Sequence, residues 1–128
     1  MAKIILTGLD LRAQQDLAHV LTGQGHHVTI GWEGALASAD VLFCNADDPA
    51  HPALIERVRT LRPDLPVVVV TGLPDPSKWL DALEAGAADY CCAPFETLQL
   101  SCLLSSVLAG TLGPATKPSP FRRVKLTA

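Results

Sequence analysis

Short apolar runs alternate with segments of helical period along most of the chain, and this alternation constrains the fold more than any other feature. Residues 66–71 form the clearest run, because four consecutive valines suit a strand that is covered on both faces. Similar runs predict four more strands, at residues 3–7, 27–30, 40–44 and 88–92. Five short strands separated by helices predict a parallel sheet with right-handed crossovers.

Apolar residues at helical spacing predict the intervening helices. Pro76 and Gly86 bracket one helix, since proline suits a first turn and glycine a helix end. The last helix is defined by Leu100, Leu103, Leu104, Val107 and Leu108. At most two helical turns fit between the second and third strands. We therefore predict an α/β, flavodoxin-like (βα)5 fold: a doubly wound parallel sheet with strand order 2-1-3-4-5, a shortened second helix, and any site at the strands' carboxyl ends.

The charge divides the chain into an acidic body and a basic tail. Residues 1–110 carry a net charge of −7, and residues 111–128 carry +4. We predict one domain over residues 1–110, followed by a proline-containing basic tail or linker. A tail that folds back on the body and one that contacts an acidic partner are both open interpretations.

Composition excludes several classes of function. A net charge of −3 and 5% aromatic residues argue against direct nucleic-acid binding. No apolar stretch approaches the roughly 18 residues of a membrane span. Four cysteines without metal-ligand or secreted spacing predict reduced thiols in a cytoplasmic protein, with no bound metal and no cofactor.

Several stretches together carry a specific resemblance. They are residues 3–6, Leu17-x3-Leu21-x3-Gly25-x2-Val28, residues 40–43, Pro49, Arg59, residues 66–71 and, above all, Gly86-Ala87-Ala88-Asp89-Tyr90-x3-Pro94-Phe95. Over residues 3–110 the chain resembles the receiver domain of two-component response regulators. The resemblance implies phosphoryl transfer from a histidine kinase to an aspartate, with Mg²⁺, a lysine and a Thr/Ser around the acceptor.

The residues that this chemistry requires are mostly replaced. The positions of the acidic pair after strand 1 hold Gly8 and Leu9, and the acceptor position holds Asn45. Thr71 is retained, but Ala93 stands where the lysine is expected. A neutral amide cannot attack phosphorus as a carboxylate does. The sequence therefore predicts a degenerate receiver that is not phosphorylated by the usual aspartate mechanism.

Three acids near this edge keep an alternative open. Asp10, Asp47 and Asp48 would be displaced acids of an active site, or else a helix cap and a solvated turn before Pro49. Tyr90 matches the aromatic switch position that the resemblance implies. It is interpreted either as a switch locked in one rotamer or as an edge aromatic that only packs.

The last helix predicts a partner surface. No charged residue lies between Glu96 and Lys117, and Leu98, Cys102 and Ala109 share a face away from the core. Trp79 and Tyr90 are assigned to the same interface, with core packing the alternative for Trp79. The resemblance implies a homodimer through this surface, and a sensor kinase or output protein as a further partner.

The sequence therefore favours a protein–protein binding module without enzymatic activity. One alternative is a phosphate-independent sensor with a small ligand in an uncharged strand-end pocket. Another is active phosphotransfer through a displaced acid. An enzyme of another kind is disfavoured, because the strand cysteines Cys44, Cys91 and Cys92 have no basic neighbour in sequence to activate them.

Overall fold

The computed structural model describes residues 2–31, 34–72, 75–93 and 95–110. In this part of the chain, five strands alternate with helices. The strands are β1 (Lys3–Thr7), β2 (His27–Ile30), β3 (Val41–Asn45), β4 (Val67–Thr71) and β5 (Asp89–Cys92). The α-helices are α1 (Leu11–Gly23), α2 (His51–Leu61), α3 (Pro76–Ala85) and α4 (Thr97–Gly110).

The strands form one parallel sheet in the order β2-β1-β3-β4-β5, which confirms the predicted doubly wound flavodoxin-like topology. The register pairs Asn45 of β3 with Val70 of β4, and Thr71 of β4 with Cys92 of β5. Parallel strands end at the same edge, so this register brings the last residues of β3, β4 and β5 together. That edge is where the site of such a fold is expected.

Two apolar layers hold the helices to the sheet. On one face, Ile4 and Leu6 of β1 pack with residues of α1 and α4. On the other face, Ile5 and Leu42 pack with α2 and α3. All five residues of β4 are buried, as the run of valines predicts for a central strand.

The connection between β2 and β3 contains a single 3-10 turn (Leu36–Ser38) in place of the short α-helix that the sequence allowed. A turn this short buries no apolar stripe. Arg62, just after α2, stabilises it instead, because its Nη1 donates to the carbonyl oxygens of Leu36 at 2.6 Å and Ala37 at 3.1 Å. The guanidinium thus satisfies carbonyl groups that a following helical turn would otherwise satisfy.

The last helix has one buried and one exposed side, as predicted. Leu100 is fully buried, whereas 76% of Leu98 is exposed. Among the described residues, no helix is both long and apolar enough to cross a membrane. The predicted tail at residues 111–128 and the side chains of Trp79 and Ala109 lie outside the described part of the structure.

Candidate functional site

The strand-end corner brings together the positions that the sequence predicted. Leu9, Asn45, Thr71 and Ala93 line one cavity of about 170 Å³. Gly8 adjoins it, because its carbonyl oxygen accepts a hydrogen bond from Asn45. The structure therefore brings these five positions together at the strand ends.

Asn45 holds the corner through both ends of its amide. Its Nδ2 donates to Gly8 O at 3.1 Å, and its Oδ1 accepts from the backbone N–H of Asp47 at 2.9 Å. An ionised carboxylate at this position would have no proton to donate to a carbonyl oxygen. Asparagine therefore joins the end of β1 to the turn after β3 in a way that aspartate does not.

Asp47 accepts hydrogen bonds from three donors, which lie at the end of β4, in the residue after it and in the first turn of α3. Thr71 Oγ1 donates to Oδ1 at 2.7 Å, Lys78 Nζ donates to the same oxygen at 2.8 Å, and Gly72 N donates to Oδ2 at 3.1 Å. Partial burial opposes ionisation of Asp47, but these hydrogen bonds outweigh it and keep the pKa of the carboxyl below its ordinary value.

Lys78 contacts the corner although the sequence did not predict it there. It lies in the first turn of α3, 31 residues from Asp47. The hydrogen bond to Asp47 raises the pKa of the ammonium group. The resemblance implies a lysine at the position of Ala93 alone. No spacing of residues in the sequence predicts this contact, because the long side chain reaches the strand ends from a different element.

The other two candidate acids have local roles. Asp10 accepts from Ala13 N at 2.8 Å and caps α1, as predicted. Asp48 accepts from Ala50 N at 2.9 Å, which is a turn contact. Asp47 lies in the turn before Pro49 and is exposed, as that interpretation expects, but its side chain also accepts hydrogen bonds from Thr71, Gly72 and Lys78. The turn directs this carboxylate into the corner.

The expectation of an uncharged pocket is wrong, because charged side chains line the cavity. Asp10, Arg12, Asp16 and Asp47 all line the cavity. Arg12 and Asp16 form only a long ion pair of 3.9 Å, with both side chains largely exposed. The charges at this edge therefore lie at positions other than those that the resemblance implies.

The corner does not fit the Mg²⁺ site that the resemblance implies. Gly8 and Leu9 offer no side-chain oxygen, and both Asp47 oxygens already accept hydrogen bonds from the protein. Over the described ranges, no three His, Cys, Asp or Glu side chains cluster in a way that could hold a metal ion. Hard divalent cations need several such oxygen ligands.

The strand cysteines are poor nucleophiles. Cys44 and Cys91 are buried, and burial raises the pKa of each thiol to about 12. Such thiols are protonated at neutral pH and therefore inert. Tyr90, the other candidate on β5, is half-buried and packs against the apolar layer that contains α2 and α3.

Exposed apolar side chains lie on the helices that flank β5. Leu80 and Leu83 of α3 are 57% and 43% exposed, and Leu98 of α4 is 76% exposed. Cys102, one turn after Leu98, is also exposed. We call Leu80, Leu83, Leu98 and Cys102 the α3/α4 surface. It includes Leu98 and Cys102, two residues of the interface that the sequence predicts, together with Leu80 and Leu83, which the sequence did not single out.

Comparison with solved structures supports the fold assignment. A receiver domain protein from Clostridium thermocellum superposes with a TM-score of 0.74 and 19% identity over all of both chains. NtrX from Brucella abortus gives a TM-score of 0.76 with 21% identity, over 87% of this chain and 28% of NtrX. The chain has the fold of a response-regulator receiver domain.

Comparison of the sequence itself also finds a relative. The transcriptional regulatory protein ZraR of Salmonella typhimurium is 28% identical over 104 residues, which cover 74% of this chain. The chain spans about a quarter of the length of that relative, since the match covers 24% of it. No protein-family model matches the sequence. In this receiver fold the topology is retained, whereas the residues at the strand ends differ from the family pattern.

Proposed function

We propose that this chain is an atypical receiver domain of two-component signal transduction that is not phosphorylated by the usual aspartate mechanism. The observation that supports this most is the double hydrogen bond of Asn45, from Nδ2 to Gly8 O and from Asp47 N to Oδ1. The acceptor position thus holds a structural amide and no nucleophile. The domain transmits its signal by contact with other proteins and performs no catalysis.

The same proposal assigns the contact to the α3/α4 surface, first as a homodimer. Leu80, Leu83 and Leu98 expose apolar area there, and α4 carries no charged residue to solvate that face. A sensor kinase or an output protein is the further partner class. The basic tail follows directly after α4 and is the segment through which an output partner would be connected.

Phosphotransfer is tested by incubating the full chain with a small phosphodonor and Mg²⁺, followed by intact mass measurement. A phosphorylatable receiver treated in parallel shows that the donor is active. We expect no gain of phosphoryl mass on this chain. A gain in good yield would contradict the proposal.

A second candidate, phosphotransfer through a displaced acid, is favoured by one specific arrangement. Asp47 is a carboxylate at the strand ends with a threonine hydroxyl and a lysine ammonium within 2.8 Å. The same mass measurement separates the two candidates. If phosphoryl mass appears in the wild type and is lost in Asp47→Asn but kept in Asp48→Asn, Asp47 is the acceptor.

A small-ligand sensor is supported by the cavity of about 170 Å³ beside Asn45 and Phe95. This volume accommodates only a small molecule, since drug-sized ligands occupy roughly 300 Å³ or more. Because the rim carries Asp10, Arg12 and Asp16, such a ligand would be polar or zwitterionic. Thermal-shift measurements with a set of small metabolites test this candidate, and stabilisation that Phe95→Ala abolishes would favour it over the contact-only function.

The homodimer is tested by light scattering on the full chain. Leu98→Ser removes the most exposed leucine of the α3/α4 surface, and Leu61→Ser removes a leucine of similar exposure (54%) from α2 as a matched control. We expect the wild type and Leu61→Ser to dimerise and Leu98→Ser to shift toward the monomer. A wild type that stays monomeric at high concentration contradicts this part of the proposal.

A further inference from the structure

Three hydrogen-bond donors converge on one carboxylate at the strand-end corner. The hydroxyl of Thr71, the backbone N–H of Gly72 and the ammonium of Lys78 all lie within 3.1 Å of an oxygen of Asp47. They come from the end of β4, the residue after it and the first turn of α3. The acceptor comes from the turn that follows β3.

This donor set has the chemistry of an oxyanion site. A hydroxyl, a backbone amide and an ammonium group each donate to anionic oxygens, and charge-assisted contacts of this kind are the strongest in proteins. Thr71 is 1% exposed, so its hydroxyl cannot rely on bulk water for an acceptor. In the structure, the Asp47 carboxylate provides an acceptor for this buried hydroxyl at 2.7 Å.

The acceptor is delivered by the chain itself. Asn45 accepts from the Asp47 N–H at 2.9 Å and is anchored on Gly8 O at 3.1 Å, which orients the turn toward β4. Asn45 is thus a positioning residue for the carboxylate of Asp47. We propose that the corner is an oxyanion-binding site whose ligand is the protein's own Asp47 side chain, which closes the site to inorganic phosphate and similar anions.

Two consequences follow from a built-in ligand. The donors of Thr71, Gly72 and Lys78 are occupied in the free protein, so the wild type has little affinity for an external oxyanion. Shortening Asp47 to alanine leaves the three donors in place without their acceptor, and an external anion can then occupy the position. The proposal concerns only the ligand of this corner and stands or falls independently of the homodimer.

NMR titration of the full chain with inorganic phosphate tests the proposal, with the amide signals of Gly72 and Lys78 as probes. We expect no saturable shift in the wild type, saturable shifts in Asp47→Ala, and their loss in the double variant Asp47→Ala/Lys78→Met. Asp48→Ala is the matched control, because the Asp48 side chain accepts from Ala50 N in its own turn and not from the Thr71, Gly72 and Lys78 donors that hold Asp47. It should behave as the wild type. Saturable phosphate shifts in the wild type, or none in a folded Asp47→Ala, overturn the proposal.

Hydrogen exchange provides a second test that does not depend on the alanine variant folding. Gly72 is exposed, and its N–H donates to Asp47 Oδ2. We expect slow exchange of this amide in the wild type and in Asp48→Asn. Exchange should be at least several-fold faster in Asp47→Asn, because its single amide oxygen cannot replace both carboxylate oxygens: with that oxygen facing Thr71 and Lys78, the Gly72 N–H faces an NH2 donor. Unchanged protection of Gly72 in Asp47→Asn contradicts the assignment of Asp47 as the ligand.

Discussion

Arg62 Nη1 donates to the carbonyl oxygen of Leu36 at 2.6 Å, across 26 residues of sequence. The same nitrogen also reaches Ala37 O at 3.1 Å and Ala39 O at 3.4 Å. One guanidinium therefore organises the connection where the sequence had allowed a short helix. Its ion pair with Asp64 faces solvent, since the Asp64 side chain is 74% exposed.

Replacing Arg62 with methionine should lower the free energy of unfolding by about 1.5–3 kcal/mol, because a hydrogen bond to a charged group contributes that much and the carbonyls lose their donor. Asp64→Asn, which removes only the exposed ion pair, should have a much smaller effect, because solvent screens that pair. Urea unfolding of both variants measures the difference. Equal losses would mean that the ion pair, and not the carbonyl contacts, stabilises the fold.

Gly86 caps the end of α3 with a φ of +109°, a backbone conformation that residues with a side chain rarely adopt. A Cβ there would also lie 2.6 Å from Arg59 Nε, although that side chain is flexible and can move away. We expect Gly86→Ala to destabilise the protein by about 1–2 kcal/mol, mostly through the backbone. Most of the loss should therefore remain in an Arg59→Ala background.

Gly23→Ala is the matched glycine control. Gly23 is the last residue of α1, and no atom lies within 4 Å of the added Cβ. Alanine is favoured over glycine in helices by up to about 1 kcal/mol, so this variant should be neutral or more stable. If Gly23→Ala and Gly86→Ala were equally harmful, the conformation of Gly86 would not be the cause.

The contribution of Asp47 to stability should depend on pH. The folded-state pKa of its carboxyl lies below the ordinary value of 3.8, so the ionised form favours the folded state. The contribution is therefore fully present above the ordinary pKa and is lost as the pH falls through the lower folded value. Urea unfolding of the wild type and Asp47→Asn should differ at pH 7 and converge in strong acid. A gap that does not change with pH would contradict the contacts of Asp47.

Substitutions of two α4 leucines that are only two residues apart should have very different effects on the free energy of unfolding. Leu100 is fully buried, so Leu100→Ala should cost about 2–5 kcal/mol. Leu98 is 76% exposed, so Leu98→Ser should change monomer stability by less than about 0.5 kcal/mol. Denaturation at low protein concentration, where a dimer dissociates, is the appropriate measurement. A large loss in Leu98→Ser would show that this face packs within the domain.

Thiol labelling should distinguish the cysteines. Cys102 is exposed and should react quickly in the native state. Cys44 and Cys91 are buried, with the thiol pKa raised to about 12, and should react only when the chain unfolds. The four single Cys→Ser variants identify each reacting thiol by mass. Rapid native labelling of Cys44 or Cys91 would contradict the burial of β3 or β5.

The sheet was predictable because burial leaves a local record in the sequence. Four consecutive valines predict that β4 is a central strand. Pro76 and Gly86 predict the two ends of the helix that follows it. Asn45 and Thr71 were predictable for the same reason, since each ends its strand. What a strand buries and where it ends are both encoded within a few residues.

The chemistry of the corner could not be predicted in the same way. Lys78 reaches Asp47 across 31 residues through a flexible stem, and the contact depends on how α3 lies over the strand ends. The 3-10 turn at Leu36–Ser38 likewise depends on Arg62, which belongs to another element. Long polar side chains that join separate elements have no periodic pattern that sequence reasoning can detect.

The turn between β2 and β3 is bound to the rest of the protein at the end of α2. Since Arg62 follows the last residue of α2, fraying of that helix end withdraws the donor from Leu36, Ala37 and Ala39 together. Opening of the two segments is then a single cooperative event. A partner that binds the end of α2 would therefore also order the turn at Leu36–Ser38 without contacting it.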